Sequence, residues 1–181
     1  MSAYQFVGDL ANDYAGYWVS SAGEVGGDGR TDMLVGAYDN AQEGQSAGAA
    51  YLLLGGNLAE HRKINLSLPD YKFVGEEVGD FAGIQVSSPG DLDGNGLDDV
   101  LVGAFGKDTM GSKTGAAYVV PGKSLGANKT INLCQADFKI VEEGEHQRAG
   151  YAVSRAGDLD GDLDDVMVGA WAAPTGGAQL M

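Results

Sequence analysis

The sequence predicts an all-β fold built from four-stranded antiparallel blades, on three observations. The chain repeats itself at an offset of 67 residues, its apolar patterning reads as short strands, and each repeat carries an acid-rich, glycine-rich loop at the same place. Repeated units of this size with four strands each are the signature of a β-propeller blade, whereas the coils of a β-solenoid are much shorter. Two full units, 4–70 and 71–137, are followed by part of a third, 138–181. The expected arrangement is therefore an incomplete ring of two blades and most of a third.

The repeat is legible almost end to end. Tyr4-Gln5-Phe6-Val7-Gly8 falls on Tyr71-Lys72-Phe73-Val74-Gly75, and that on Phe138-Lys139-Ile140-Val141-Glu142. Gly16-Tyr17-Trp18-Val19-Ser20 falls on Gly83-Ile84-Gln85-Val86-Ser87, then on Gly150-Tyr151-Ala152-Val153-Ser154. One residue is deleted in the third copy, between Asp162 and Leu163.

Within the second unit four strands are expected in order. Gly83-Ile84-Gln85-Val86-Ser87 alternates apolar and polar residues, as a strand with one face more buried does. Asp99-Val100-Leu101-Val102-Gly103-Ala104 is a continuous apolar run rich in β-branched residues, the pattern of a strand covered on both faces. Gly115-Ala116-Ala117-Tyr118-Val119-Val120 is a third strand, stopped by Pro121-Gly122, and Lys129-Thr130-Ile131-Asn132-Leu133 is expected as the fourth. No segment shows an amphipathic helical face.

The acid loops lie between the first and second strands of each unit. In the second, Asp91, Asp93, Asn95 and Asp99 stand at positions 1, 3, 5 and 9, with the Leu97 carbonyl available at 7. A hard cation taking 6–8 oxygens at about 2.3–2.6 Å matches that supply. Four converging side-chain oxygens with no Lys or Arg nearby would repel one another, so Ca²⁺ is expected. This is no EF-hand: Val102 stands where the bidentate Glu belongs, and the flanks are strands. The third loop offers Asp158, Asp160 and Asp162, is one residue shorter, and closes on Asp165. The first offers Glu24, Asp28 and Asp32, with glycine at position 3 and Arg30 at position 7, and is expected to be the weakest site or empty. Two Ca²⁺ sites are thus expected, with loop one the third candidate.

Composition narrows the function classes. With 11 basic residues against 26 acidic ones the net charge is −15, which argues against a nucleic-acid partner, since neutralising phosphates needs a basic face. Twelve of the acidic residues lie in the three loops. An apolar fraction of 44% is too high for a disordered acidic tail. The lone Cys134 excludes an intrachain disulfide framework. No apolar stretch of about 18 residues exists, so membrane insertion is not expected. The first residues lack a secretory pattern, yet loops with Kd on the order of 10⁻⁴–10⁻³ M would fill only outside the cell, which points to an extracellular or cell-surface location.

No catalytic constellation emerges, and the chain is not expected to be an enzyme. Ser20, Ser87 and Ser154 recur at one strand position, as scaffold residues do, and neither a nucleophile elbow nor a P-loop is present. Two readings stay open: a Ca²⁺-stabilised recognition module, or the propeller portion of a larger secreted hydrolase or lectin-like protein whose active part lies outside this chain. The recurrent aromatics Tyr38, Phe105 and Trp171 are expected to pack between blades, and Trp18, which breaks the repeat, to make a private contact. Asn65-Leu66-Ser67 and Asn128-Lys129-Thr130 are glycosylation sequons.

The pieces Phe73-Val74-Gly75, Gly83-Ile84-Gln85-Val86-Ser87, the loop Asp91–Asp99 and Val102-Gly103-Ala104 resemble the FG-GAP repeat. That repeat is the blade unit of the integrin α-subunit propeller and of many bacterial surface proteins. The resemblance covers essentially the whole chain. It implies a ring of seven blades, Ca²⁺ in the loops joining strands one and two, and work in adhesion or protein recognition, with a protein ligand or cell-surface partner. The ring is then completed by a parent chain or by self-association. The sequence departs from the pattern where Tyr38, Phe105 and Trp171 replace the Pro of the GAP triplet, and where Ile140 and Glu142 replace Phe and Gly.

Overall fold

The computed structural model describes residues 4–58, 63–108, 113–142, 146–172 and 178–180. Its strands are β1 (Gln5–Val7), β2 (Trp18–Gly23), β3 (Asp32–Ala37), β4 (Ala49–Leu53), β5 (Lys63–Asn65), β6 (Tyr71–Val74) and β7 (Val86–Ser87). There follow β8 (Val100–Ala104), β9 (Ala116–Val120), β10 (Thr130–Asn132), β11 (Phe138–Val141), β12 (Ala152–Gly157), β13 (Asp165–Gly169) and β14 (Ala178–Leu180). Helical structure among the described residues is limited to the turn Gly55–Leu58 and two 3-10 turns, Gly122–Ser124 and Leu133–Gln135. The fold is all-β, an incomplete propeller.

Three sheets follow one another. The first runs β2-β3-β4-β6 in antiparallel order, the second β7-β8-β9-β11, and the third β12-β13-β14. The fourth strand corrects the expectation from sequence. Thr130–Asn132 does not close its own sheet; it lies parallel to β6, with Ile131 opposite Phe73. The fourth antiparallel place goes instead to the first residues of the next repeat, with Phe138 opposite Val119. In the same way β5 lies parallel to β1. The first two sheets therefore each borrow their outer antiparallel strand from the repeat that follows.

The continuous apolar runs are explained by two-sided burial. Val100, Val102 and Ala104 face the first sheet, where they join Leu34, Leu52 and Phe73 in one cluster. Leu101, between them, faces the third sheet with Val153, Val166 and Val168. Alternate side chains of β8 thus bury on opposite neighbours, and every residue of the strand is buried. The middle position of the Val-Gly-Ala triplet is set by backbone approach. A Cβ on Gly36 would stand 2.1 Å from the Gly83 carbonyl oxygen, and one on Gly103 the same 2.1 Å from that of Gly150. Only glycine lets the inner strand of the next blade come this close.

A buried polar network recurs beside the aromatic cores. Lys107 is almost wholly buried and pairs with Glu76 at 2.9 Å and Glu77 at 3.2 Å, with Asp80 at 3.7 Å. Glu76 also accepts from Lys139 at 2.7 Å and from the Tyr118 hydroxyl at 2.9 Å. One repeat earlier Lys72 pairs with Asp9 at 2.7 Å, beside the Tyr51 hydroxyl. Burial pushes the Glu76 carboxyl up, but hydrogen bonds from Lys139, Lys107 and Tyr118 outweigh it and hold it below the usual carboxylate range.

Candidate functional site: the acid loops

The three acid loops join β2 to β3, β7 to β8 and β12 to β13. Loop three gathers its carboxylates most closely. One ligand oxygen from each of Asp158, Asp160 and Asp165 lies within 4.8 Å of the other two, the first two residues exposed and the third half-buried. Among the described residues no other three His, Cys, Asp or Glu side chains come that close together. The loop is shaped by its own amides: Leu159 donates to Asp165 Oδ2 at 2.8 Å and Gly161 to Asp158 Oδ1 at 2.6 Å. Asp162 lies outside the trio. Its carboxylate takes the Leu163 amide, which holds it below the ordinary range, and its hydrogen bond to Asp160 pushes that neighbour's carboxyl up.

Loop two is wound as tightly but differently compensated. Asp91 accepts from the Asn95 amide at 3.0 Å and the Gly96 amide at 2.7 Å, and the Leu97 amide donates to Asn95 Oδ1 at 3.0 Å. Asp93 accepts from the Asn95 amide at 3.2 Å and is also ion-paired with Lys123. That ammonium holds the half-buried carboxyl of Asp93 below its usual range. The expectation that no Lys or Arg stands near these oxygens is therefore corrected. Lys123 sits in the 3-10 turn after β9, and Asp99 brings that turn up to the loop by accepting the Gly122 amide at 3.0 Å.

The closing aspartates share one role. Asp99 Oδ2 accepts the Leu92 amide at 2.9 Å. In loop one Asp32 Oδ2 accepts the Val25 and Gly26 amides, each at 2.8 Å, and Asp32 Oδ1 accepts the Gly55 amide at 2.8 Å. Both are fully buried, and burial pushes both carboxyls up despite these amides. The rest of loop one is loose. Glu24 takes the Asp28 amide at 2.9 Å, Asp28 takes the Arg30 amide at 2.9 Å, and Asp28 and Arg30 are exposed.

In chemical terms the loops present hard oxygen donors and no thiol or imidazole, a set suited to Ca²⁺ or Mg²⁺ rather than to a soft metal. Asp158, Asp160 and Asp165 fit such an ion directly. A cation held there by Asp158, Asp160 and Asp165 would supply charge neutralisation and would tie the start of the loop to its end.

Sequence reading missed two groups. The Lys107 network was recoverable, since the 67-residue offset lays Asp9 on Glu76, Tyr51 on Tyr118 and Lys72 on Lys139. Asp98 and Asp164 are the second group, and they reach out of their own blades to the preceding loop.

On another face the aromatics form a row across the blades: Tyr14 against Tyr38 at 5.2 Å, Phe81 against Phe105 at 5.0 Å, and Tyr151 against Trp171 at 5.8 Å. The links between blades are Tyr38 to Phe81 at 6.3 Å and Phe105 to Tyr151 at 5.6 Å, so Tyr38 and Phe105 do pack between blades. Trp171 stays 61% exposed with the Arg148 guanidinium 5.0 Å from its ring. Trp18 is also exposed and lines a cleft with Tyr17, Ile84, Gln85, Tyr151 and Ala152. Of the loop 105–114, residues 109–112 lie outside the described residues.

A blade repeat whose oxygen-lined loop joins its first two strands defines a class, and the comparisons agree with it. No family model matches the chain. It is 33% identical to integrin alpha-5 of Xenopus laevis over 187 residues, which covers 96% of this chain and 16% of that protein. It is 27% identical to integrin alpha-V of Gallus gallus, again over 96% of the chain and 16% of the relative. With integrin alpha-PS5 of Drosophila melanogaster it shares 29% over 91% of the chain. The chain is an integrin-alpha-like region of FG-GAP repeats, and it spans about 16% of the length of these relatives. Among the described residues no helix is long and apolar enough to cross a membrane.

Proposed function

We propose that the chain is a Ca²⁺-stabilised propeller module for protein recognition or cell adhesion outside the cell, and that the ion is structural. The observation that carries the reading is the Asp158, Asp160 and Asp165 trio, in an acid-rich loop that recurs at the same place in every repeat. Loop two would use Asp91, Asp93, Asn95, Leu97 and Asp99, with Lys123 displaced from Asp93 when the ion enters. Loop one, with Glu24, Asp28, Arg30 and Asp32, is the poorest candidate. Each loop joins two strands of one sheet, so cation binding adds to folding rather than to a reaction. The integrin relatives support a protein or cell-surface partner and a non-enzymatic role. On this reading the units 4–70, 71–137 and 138–181 are one FG-GAP repeat each, and the exposed Asn65 and Asn128 are available for glycosylation.

Calorimetry on the chelator-stripped chain tests this. Titration with Ca²⁺ is expected to release heat with Kd on the order of 10⁻⁴–10⁻³ M. At about ten times that Kd, one site adds about 1.4 kcal/mol and raises the melting temperature by about 3–6 °C. Asp160→Asn should remove the loop-three component. No heat and no change in melting would overturn the reading.

A further inference from the structure

The turn after the third strand of a blade comes up to the acid loop in the same way twice. In the first blade the Gly55 amide donates to Asp32 Oδ1 at 2.8 Å; in the second the Gly122 amide, at the equivalent place, donates to Asp99 Oδ1 at 3.0 Å. The closing aspartate therefore fixes where the next residue of the turn stands. In the first blade that residue is Gly56, and a Cβ there would meet the carboxylate of Asp28, at position 5 of loop one. In the second it is Lys123, whose ammonium pairs with Asp93, at position 3 of loop two. One backbone address faces the loop in both blades, and only the second blade puts a cation on it.

The other acids of loop two are held by amides. Asp91 takes those of Asn95 and Gly96, and Asp99 those of Leu92 and Gly122. Amides orient a carboxylate but bring no full charge, so among the described residues Lys123 is the one positive charge paired with these acids. Loop three differs. Among the described residues no Lys or Arg pairs with Asp158, Asp160 or Asp165, and Arg155 pairs with Asp164 instead, at 2.6 Å. An exposed ion pair usually contributes little, because ordering two flexible side chains offsets the attraction. Here much of that ordering is already done: the Asp93 side chain is only 19% exposed within the wound loop, and the Lys123 stem leaves a turn anchored by Asp99.

We propose that Lys123 is the built-in counter-cation of loop two, and that it sets the order in which loops two and three take Ca²⁺. Its ammonium neutralises Asp93 and keeps loop two wound without the ion. An ion entering loop two competes with that ammonium for the same carboxylate, whereas loop three offers its trio without a competitor. Loop two therefore fills at a higher Ca²⁺ concentration than loop three, and the chain responds over two concentration ranges rather than one. The winding role rests on the contact alone, and the filling order on the reading of the loops as Ca²⁺ sites.

Three variants of the full chain test this. Lys123→Met keeps the stem and removes the charge, Lys123→Arg keeps the charge, and Lys63→Met removes the charge of an exposed lysine in the first blade. In chelator, amide hydrogen exchange read by NMR should be about threefold faster at Asn95 and Gly96 in Lys123→Met and unchanged in the other two. With Asp160→Asn added to silence loop three, calorimetric titration with Ca²⁺ should give Lys123→Met a Kd about three- to fivefold lower than its parent, the other two staying at the parent value. In the native chain the Leu159 and Gly161 amides should shift at a lower Ca²⁺ concentration than those of Asn95 and Gly96. Unchanged exchange or an unchanged Kd in Lys123→Met overturns the proposal, as does an equal gain in Lys63→Met, which would assign the effect to net charge. If no chain binds Ca²⁺, the reading of the loops as Ca²⁺ sites fails and the filling order with it, while the exchange comparison still decides the winding role.

Discussion

Gly103→Ala is expected to destabilise the chain by about 3 kcal/mol and to lower its melting temperature by roughly 10 °C. The reason is specific. The atom that the new methyl group would meet is the Gly150 carbonyl oxygen, at 2.1 Å, and it belongs to backbone rather than to a side chain that can swing away. Relief therefore requires the second and third sheets to separate, which opens the shared cluster of Leu101, Val153, Val166 and Val168. Gly126→Ala is the control, because nothing lies within 4 Å of its Cβ position and the change should stay within about 0.5 kcal/mol of neutral. Thermal denaturation of the two variants side by side checks this. Equal melting temperatures would show that the sheets yield more easily than their packing implies.

The second large effect is expected at Lys107. Lys107→Met removes the positive charge that faces the buried Asp80 against Glu76 and Glu77, and one of two lysines on Glu76. Breaking a buried ion pair from one side costs about 3–5 kcal/mol, since the remaining charge stays desolvated. The pH dependence separates this from lost packing. The Glu76 carboxyl lies below its ordinary value, so its contribution is full above the unfolded value of about 4.3 and is lost as pH falls through the folded one. Glu76→Gln should thus be less stable than the native chain at neutral pH, and the gap should close on acidification. Denaturant melts between pH 7 and pH 3 measure it; a gap that stays constant would mean the carboxylate charge contributes nothing.

How much of this was legible in the sequence depended on where each interaction partner lies. The strands β3, β8 and β9 could be read locally, because burial on two sides leaves a continuous apolar run in the strand itself. The acid loops could be read because an acid-rich, glycine-rich segment recurs at the same place in all three repeats. The outer strand could not: Phe138–Val141 resembles the opening of its own unit, and only its pairing with β9 reveals that it completes the sheet before it. Lys123 was missed for the same reason, since it meets Asp93 only after β8 and β9 have brought the turn back. The doublet Asp98-Asp99 shows the limit within two residues. Successive side chains point to opposite sides, so Asp99 caps its own loop while Asp98 enters the neighbour's, and the letters alone give both the same reading.

The borrowed outer strand separates the unit of duplication from the unit of folding. A gene segment copied from residue 71 to 137 carries one complete repeat, yet a chain cut after Asp137 loses β11 and leaves β9 as a bare edge. A cut after Val141 keeps the second sheet whole. Any shortened version made for expression, or any protease that trims the chain, should therefore favour ends near residues 74 and 141 over those at 70 and 137. The same offset means that no repeat can be deleted from the series without two others exchanging a strand.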